Sequence, residues 1–384
     1  MTKEDKFILK KLSSHKWTNP NAFNALTSAV AFLVVVVGML VLGLAISPLL
    51  IWLKNKGVGI GVLLCISAFI TQIFIFLFGV VFCFIKKVPL FGGRARFAFD
   101  FKACLPALTL SIGTLLFLSP LHTHFAELLD SVQKSLFGGS SLDLLKLNFT
   151  AGDTLAIIIY AFILAPILPA ICEELLFRGV ILDGLREFGD LFAIIISGLL
   201  FALMHGNYAQ TILQFVIGCE IAFAVIITGN YFVGVVMHFA NNLFSVIYSL
   251  IIEFIAVGSK NLGNLTEAFM ILAGLAMICI AISYCYGLTK FKEGKSNKSI
   301  YKYYRPLRIS KPCCLIQKGA PLEYHFLVDH KKVVVTDNSN FLFFSGRRFH
   351  KFTGKSNRTA FLVVLLIGIV ISFGLVIFDF ILVG

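Results

Sequence analysis

Long apolar runs separated by shorter polar connections form the main pattern along this chain. A helix needs about 20 apolar residues to cross the hydrocarbon core of a bilayer. Lipid offers no water to unpaired backbone groups, so a spanning segment is expected to be helical. The pattern predicts an all-α polytopic membrane protein with about eight core transmembrane helices and a ninth C-terminal span. The nine apolar runs cover residues 22–53, 58–85, 103–121, 154–172, 191–206, 209–228, 231–257, 268–288 and 360–383.

Two segments outside these runs have a different pattern. Residues 122–153 have the apolar spacing of an amphipathic helix, which we expect to lie along the outer surface of the membrane. Residues 289–359 contain sixteen Lys and Arg against four acidic residues, and we expect a small basic cytoplasmic loop there. Within this loop, the β-prone runs 333–336 and 341–344 flank the turn-rich residues 337–340, which predicts a β-hairpin.

The composition indicates a protein that is embedded in lipid, because 58% of its residues are hydrophobic and the mean hydropathy is +0.91. The connections on one side carry 28 Lys and Arg and those on the other side carry five, so the positive-inside rule predicts a cytoplasmic N-terminus. We expect an integral protein of a bacterial cell membrane whose partners are membrane lipids and a peptide or protein substrate, with no nucleic acid. The oligomeric state is left open.

These patterns divide the chain into six parts. They are a cytoplasmic N-terminal segment (1–21), N-terminal transmembrane helices with the amphipathic segment (22–149), a core (150–256), an eighth transmembrane helix (257–288), the basic cytoplasmic loop (289–359) and a C-terminal transmembrane helix (360–384).

Ionisable residues within the apolar runs are the candidates for chemistry. Each costs about 2.5–3.5 kcal/mol to insert, so each needs a partner or a function. Glu174 and Arg178 have the i,i+4 spacing of a helical ion pair. Glu173 points about 100° away on the same helix, which leaves its carboxylate free. The alternative interpretation is that these charges simply lie at the membrane interface.

Two histidines lie at the ends of later apolar runs. His205 follows Phe201 by four residues and His238 precedes Asn242 by four, so each pair shares one face of a helix. A carboxylate and an imidazole can deprotonate water, and imidazole and carboxamide groups can stabilise an oxyanion. Together with Glu173 these residues could hydrolyse an amide bond. A straight ladder of helices separates the two histidines by about 15 Å in depth, so convergence requires tilted or broken helices.

The residues resemble the motifs of the CPBP intramembrane proteases, the family of CAAX proteases and bacteriocin-processing enzymes that is also called the Abi family. That family has E-E-x-x-x-R, F-x-x-x-H and H-x-x-x-N in this order. The resemblance covers residues 150–256. The matching residues are Glu173, Glu174 and Arg178, then Phe201 and His205, then His238 and Asn242.

The resemblance implies an intramembrane endopeptidase that cleaves a membrane-associated protein or peptide, in CAAX-type or bacteriocin-type processing. Glu173 and His205 would be catalytic by activating a water, and His238 and Asn242 would be catalytic by holding the oxyanion. The structural residues at the site would be Glu174, Arg178 and Phe201.

Zinc is the cofactor that the resemblance implies, with Glu173, His205 and His238 as its candidate ligands. Because zinc more often has three strong ligands plus water, a metal-free reaction is the alternative. Two other functions are left open: a membrane transporter, in which the same groups relay protons or ions, and a non-catalytic immunity or scaffold protein of the same fold. The basic loop, the C-terminal helix and Glu220 match no part of the family pattern.

Overall fold

The described part of the chain forms a bundle of apolar helices and one small hairpin. The computed structural model describes residues 24–86, 99–137, 153–188, 190–228, 230–256, 260–291, 322–328, 331–337 and 357–382. The helices in these ranges are α1 (Ala25–Asn55), α2 (Ile60–Lys86), α3 (Phe101–Phe137), α4 (Thr154–Leu185), α5 (Asp190–Met204), α6 (Thr211–Thr228), α7 (Tyr231–Ala256), α8 (Lys260–Phe291) and α9 (Arg358–Leu382). Every apolar run predicted from the sequence is helical, which confirms the all-α membrane fold.

The helices of the described ranges differ in length. Seven of them are long and apolar enough to cross a membrane, whereas the apolar parts of α5 (Leu191–Met204) and α6 (Thr211–Ile226) are shorter. At 1.5 Å per residue, the 15 residues of α5 extend about 22 Å, against a hydrocarbon core of about 30 Å. A residue at the end of α5 is therefore not required to reach the far membrane face.

Helix α4 forms the middle of the bundle. It packs against α2 on one side and α7 on the other, while α5 pairs with α6, α8 with α3, and α9 with α1. Leu175, Leu176 and Phe177 of α4 are fully buried. The neighbouring charged residues Glu173, Glu174 and Arg178 are also buried, so they lie inside the bundle.

The backbone of α4 is irregular around its prolines. Two π-helical turns, Tyr160–Leu164 and Phe177–Ile181, flank the regular segment Ala165–Leu176. Pro169 has no N–H to donate to the carbonyl four residues earlier, that of Ala165. The side-chain amide of Asn242 on α7 donates to this carbonyl instead, at 3.2 Å. The proline thus creates a polar connection between α4 and α7.

The segment predicted as a separate surface helix, residues 122–153, differs in the structure. Residues 122–137 continue α3 without a break, and residues 138–152 lie outside the described residues. Gln133 is fully buried; its amide donates to the Phe380 carbonyl at 2.8 Å and its oxygen accepts from the Tyr208 hydroxyl at 2.8 Å. Gln133 is therefore satisfied by α9 and by Tyr208, which follows α5.

The basic loop contains a hairpin whose pairing differs from the prediction. β1 (Leu322–Val328) pairs antiparallel with β2 (Lys331–Asp337), in a register that joins Leu322 to Asp337 and Val328 to Lys331. Residues 333–336 are in a strand, but their partner precedes them in sequence, and residues 341–344 lie outside the described residues. Only two residues separate β1 from β2, which is the commonest hairpin connection.

Candidate active site

Glu174 is the centre of a buried polar cluster between α4 and α7. Its Oε2 lies 3.2 Å from Nε of Arg178, as the i,i+4 spacing predicts, and both side chains are fully buried. Its Oε1 lies 2.9 Å from Nδ1 of His238. Gly234, one turn before His238, permits this approach, because a Cβ there would lie 2.8 Å from Glu174 Oε2. Glu174 therefore joins the arginine to the histidine.

The Glu174 contact fixes the orientation of the His238 ring. A carboxylate only accepts hydrogen bonds, so Nδ1 of His238 carries the hydrogen of this bond. The other ring nitrogen, Nε2, lies 4.0 Å from Oε2 of Glu173. His238 thus has Nδ1 bonded to Glu174 and Nε2 facing Glu173, the carboxylate that the sequence predicts to be catalytic.

Glu173 is buried and only half satisfied. Its Oε1 accepts a hydrogen bond from the side-chain amide of Gln72 on α2 at 2.8 Å. Its Oε2 has no hydrogen-bond partner among the described residues. An unsatisfied buried acceptor is costly in a structural role, whereas a general base needs a free oxygen. Sequence reasoning did not find Gln72, although a glutamine within an apolar run was a visible signal.

Arg178 is held mainly by charge and aromatic contacts. Its guanidinium carbon lies 5.1 Å from the ring centroid of Phe201 and 5.8 Å from that of Phe177. Nη1 and Nη2 have no hydrogen-bond partner within the ranges that the structure describes. Because a buried charge is costly unless it is compensated, the carboxylate of Glu174 is the principal reason that Arg178 is tolerated there.

Phe201 lies in contact with both histidines. Its ring centroid lies 4.9 Å from that of His205 and 5.5 Å from that of His238, in edge-to-face contacts. The depth separation of about 15 Å predicted for straight helices is therefore absent. The short α5 is compatible with this, because its 15 residues extend less far than the hydrocarbon core is thick.

The hydrogen bond of His205 leaves one nitrogen available for catalysis. Nδ1 lies 2.8 Å from the backbone carbonyl of Phe201. A carbonyl only accepts, so Nδ1 carries a hydrogen and, in the neutral ring, Nε2 keeps its lone pair. His205 is half-buried at the end of α5, which is compatible with access by water.

Asn242 lies one turn after His238 and is linked to the backbone of α4. One of its amide hydrogens bonds to the Ala165 carbonyl, and the carboxamide has a second hydrogen to donate. The adjacent Asn241 is buried and accepts a hydrogen bond from the Ser111 hydroxyl of α3. Glu220 of α6, which fits no motif, has a buried Oε1 without a hydrogen-bond partner among the described residues.

The residues predicted as zinc ligands do not form a metal site in this conformation. Among the described residues, no three His, Cys, Asp or Glu side chains are arranged to hold one metal ion. The nitrogens of His238 face two different carboxylates, Glu173 and Glu174, and Nδ1 is already bonded. The donor set therefore does not fit a preformed tetrahedral zinc site, and zinc stays a prediction of the family resemblance.

The fold and the cluster together define an integral membrane protein with carboxylate and imidazole groups inside its helical bundle. Residues 154–244 match the model of the family described as Rce1-like, type II CAAX prenyl endopeptidases. The match confirms the CPBP and CAAX protease resemblance, and it implies a hydrolase. No curated protein and no solved structure matches the chain significantly. The matched segment includes all seven residues of the three motifs.

Proposed function

We propose that this protein is an intramembrane endopeptidase that hydrolyses a peptide bond in a membrane-associated protein or peptide. The observation that carries the proposal is the buried Oε2 of Glu173, which lacks a hydrogen-bond partner among the described residues and lies 4.0 Å from Nε2 of His238. A carboxylate oxygen of this kind can bind a water and take its proton. His205, in contact with the same Phe201 ring as His238, presents a second basic nitrogen.

The cleavage needs three events. Glu173, assisted by Nε2 of His205, accepts a proton from water while the water oxygen forms a bond to the peptide carbonyl carbon. The resulting oxyanion is stabilised by the second amide hydrogen of Asn242 and by Nε2–H of His238 when that ring is protonated. The proton held by the base then passes to the amide nitrogen as the carbon–nitrogen bond breaks, which leaves a carboxylic acid and an amine. The acid then loses its remaining proton to the amine, which gives a carboxylate and an ammonium group.

The substrate we propose is a CAAX-type prenylated protein or peptide, which the description of the matched family supports. The numerous apolar side chains on the outer faces of α1 and α2, including Val41, Leu44, Phe69 and Phe84, are compatible with a substrate that arrives through lipid. Bacteriocin-type processing of a membrane-associated peptide is the other substrate class that the CPBP resemblance implies.

The first prediction concerns His205. Replacing His205 with alanine is expected to lower kcat by about 10²–10³-fold, which is the lower part of the range that proton transfer by a positioned side chain contributes. The measurement is cleavage of a prenylated CAAX-type peptide by the full-length protein in lipid nanodiscs, followed by mass spectrometry. Cleavage of the same peptide without its prenyl group is measured in parallel, and the comparison shows whether the substrate must be prenylated.

His124→Ala is the matched control, because His124 is exposed and contacts Glu127 and Glu267 away from the motifs. We expect this variant to cleave like the wild type. Full activity in His205→Ala would contradict the proposed mechanism. A wild-type protein that cleaves neither peptide would contradict the proposed CAAX-type substrate.

A further inference from the structure

The loop between α5 and α6 carries His205 and is held by two helices outside the family-matched segment. Gly206 has a φ of +61°, so the chain turns sharply directly after His205. Tyr208, two residues further on, is buried. Its partners come from α3, which precedes residue 154, and from α9, which follows residue 244.

Helix α9 contacts this loop through a carboxylate and an aromatic ring, and its Leu375 lies near Gly206. The backbone N–H of Tyr208 donates to Oδ2 of Asp379 at 3.3 Å. The Tyr208 ring meets the Phe380 ring edge-to-face, with centroids 4.9 Å apart. A Cβ on Gly206 would lie 4.0 Å from the Cβ of Leu375. These contacts cover the turn on the side that faces α9.

Helix α3 completes the attachment. The Tyr208 hydroxyl donates to Gln133, and the Gln133 amide donates to the backbone carbonyl of Phe380, so the bonds join the loop, α3 and α9. At the next residue, Nε2 of His122 lies 2.6 Å from the Ala209 carbonyl, to which it donates. Buried networks whose members are satisfied make the local structure rigid.

We propose that the C-terminal helix α9 is a functional part of the active site and that Asp379 is a positioning residue for His205. This proposal rests on the proposed function, because it assigns α9 the task of holding a catalytic histidine. His205 has only its bond to Phe201 and the turn at Gly206 to fix it from within its own segment. A displacement of about 1 Å at a catalytic group can cost about 10²-fold in rate, so the external attachment determines the rate.

The test compares two replacements of Asp379 in the full-length protein. Asp379→Leu removes the acceptor for the Tyr208 N–H, and we expect kcat to fall about 10- to 100-fold with KM changed by less than about twofold. Asp379→Asn keeps an oxygen that can accept this hydrogen bond, and we expect it to retain most of the wild-type kcat. Phe378→Leu, at an exposed neighbouring position of α9, is the control and should behave like the wild type.

Hydrogen–deuterium exchange of residues 205–210 gives a readout that does not depend on catalysis. We expect faster exchange in this loop for Asp379→Leu and wild-type exchange for Asp379→Asn and Phe378→Leu. Unchanged exchange and kcat in Asp379→Leu would overturn the proposal. Equal losses in the Asn and Leu variants would also overturn it, because they would show that the hydrogen bond to Tyr208 is not the cause. If the wild type cleaves no substrate, the proposed function fails, and the exchange data still decide whether α9 holds the loop.

Discussion

Replacing Glu173 with glutamine is expected to lower kcat by about 10²–10⁴-fold, the range of general acid–base catalysis. The carboxamide has nearly the shape of the carboxylate, but it cannot accept the proton of the attacking water. Its oxygen can still accept the hydrogen bond that Gln72 donates to Oε1, so the fold should persist. The measurement is steady-state cleavage of the prenylated CAAX-type peptide by the variant in nanodiscs.

Glu127→Gln provides the matched control for this substitution. Glu127 is exposed on α3, and among the described residues its carboxylate forms an ion pair with His124. We expect Glu127→Gln to leave kcat and KM within about twofold of the wild type, as for most surface changes. A Glu173→Gln variant with near-wild-type kcat and an unchanged melting profile would show that the free oxygen of Glu173 is not the base.

Replacing Arg178 with methionine is expected to destabilise the protein by about 3–5 kcal/mol, which is the cost of removing one partner of a buried ion pair. The substitution leaves the Glu174 carboxylate buried without its guanidinium partner, 3.2 Å away in the wild type. It also removes the cation that lies against the Phe201 ring. The measurement is equilibrium unfolding in mixed micelles that contain an increasing fraction of a denaturing detergent.

The double variant Glu174→Gln/Arg178→Met separates charge from packing. Neither charge of the pair remains, so we expect most of the lost stability to return, as in other buried pairs replaced together. Arg358→Met at the exposed start of α9 is the control for the same replacement at the surface and should change stability by less than about 0.5 kcal/mol. A double variant as unstable as Arg178→Met would show that the loss comes from packing around the arginine.

The sequence was sufficient for the local geometry of the site. Apolar runs of fixed length predict helices because lipid allows few other backbone forms, and each predicted run is helical. The spacing of Glu174 and Arg178 predicts their contact because residues four apart lie one above the other on a helix. The pairs Phe201 with His205 and His238 with Asn242 share helix faces for the same reason, and their motif order predicts the resemblance that the family match at residues 154–244 confirms.

The relations between helices could not be predicted in the same way. Helical periodicity does not give the depth at which a helix ends in the membrane. Straight helices predict a depth separation of about 15 Å between His205 and His238, whereas both residues contact Phe201 in the bundle. Gln72 belongs to a helix distant in sequence, so no spacing rule connects it to Glu173. The continuation of α3 to Phe137 depends on buried partners from α9 and the His205 loop, such as the Phe380 carbonyl that Gln133 reaches.

The central claim is that Glu173 and His205 act on one water as a unit. The most direct test is a double-mutant cycle of kcat for the wild type, Glu173→Gln, His205→Ala and the combined variant. When two residues act as a unit, removing either one abolishes the contribution of both. We therefore predict that kcat of the combined variant is within about threefold of kcat of the slower single variant. A combined variant in which the two losses multiply would show that the two residues act independently, and it would contradict the account.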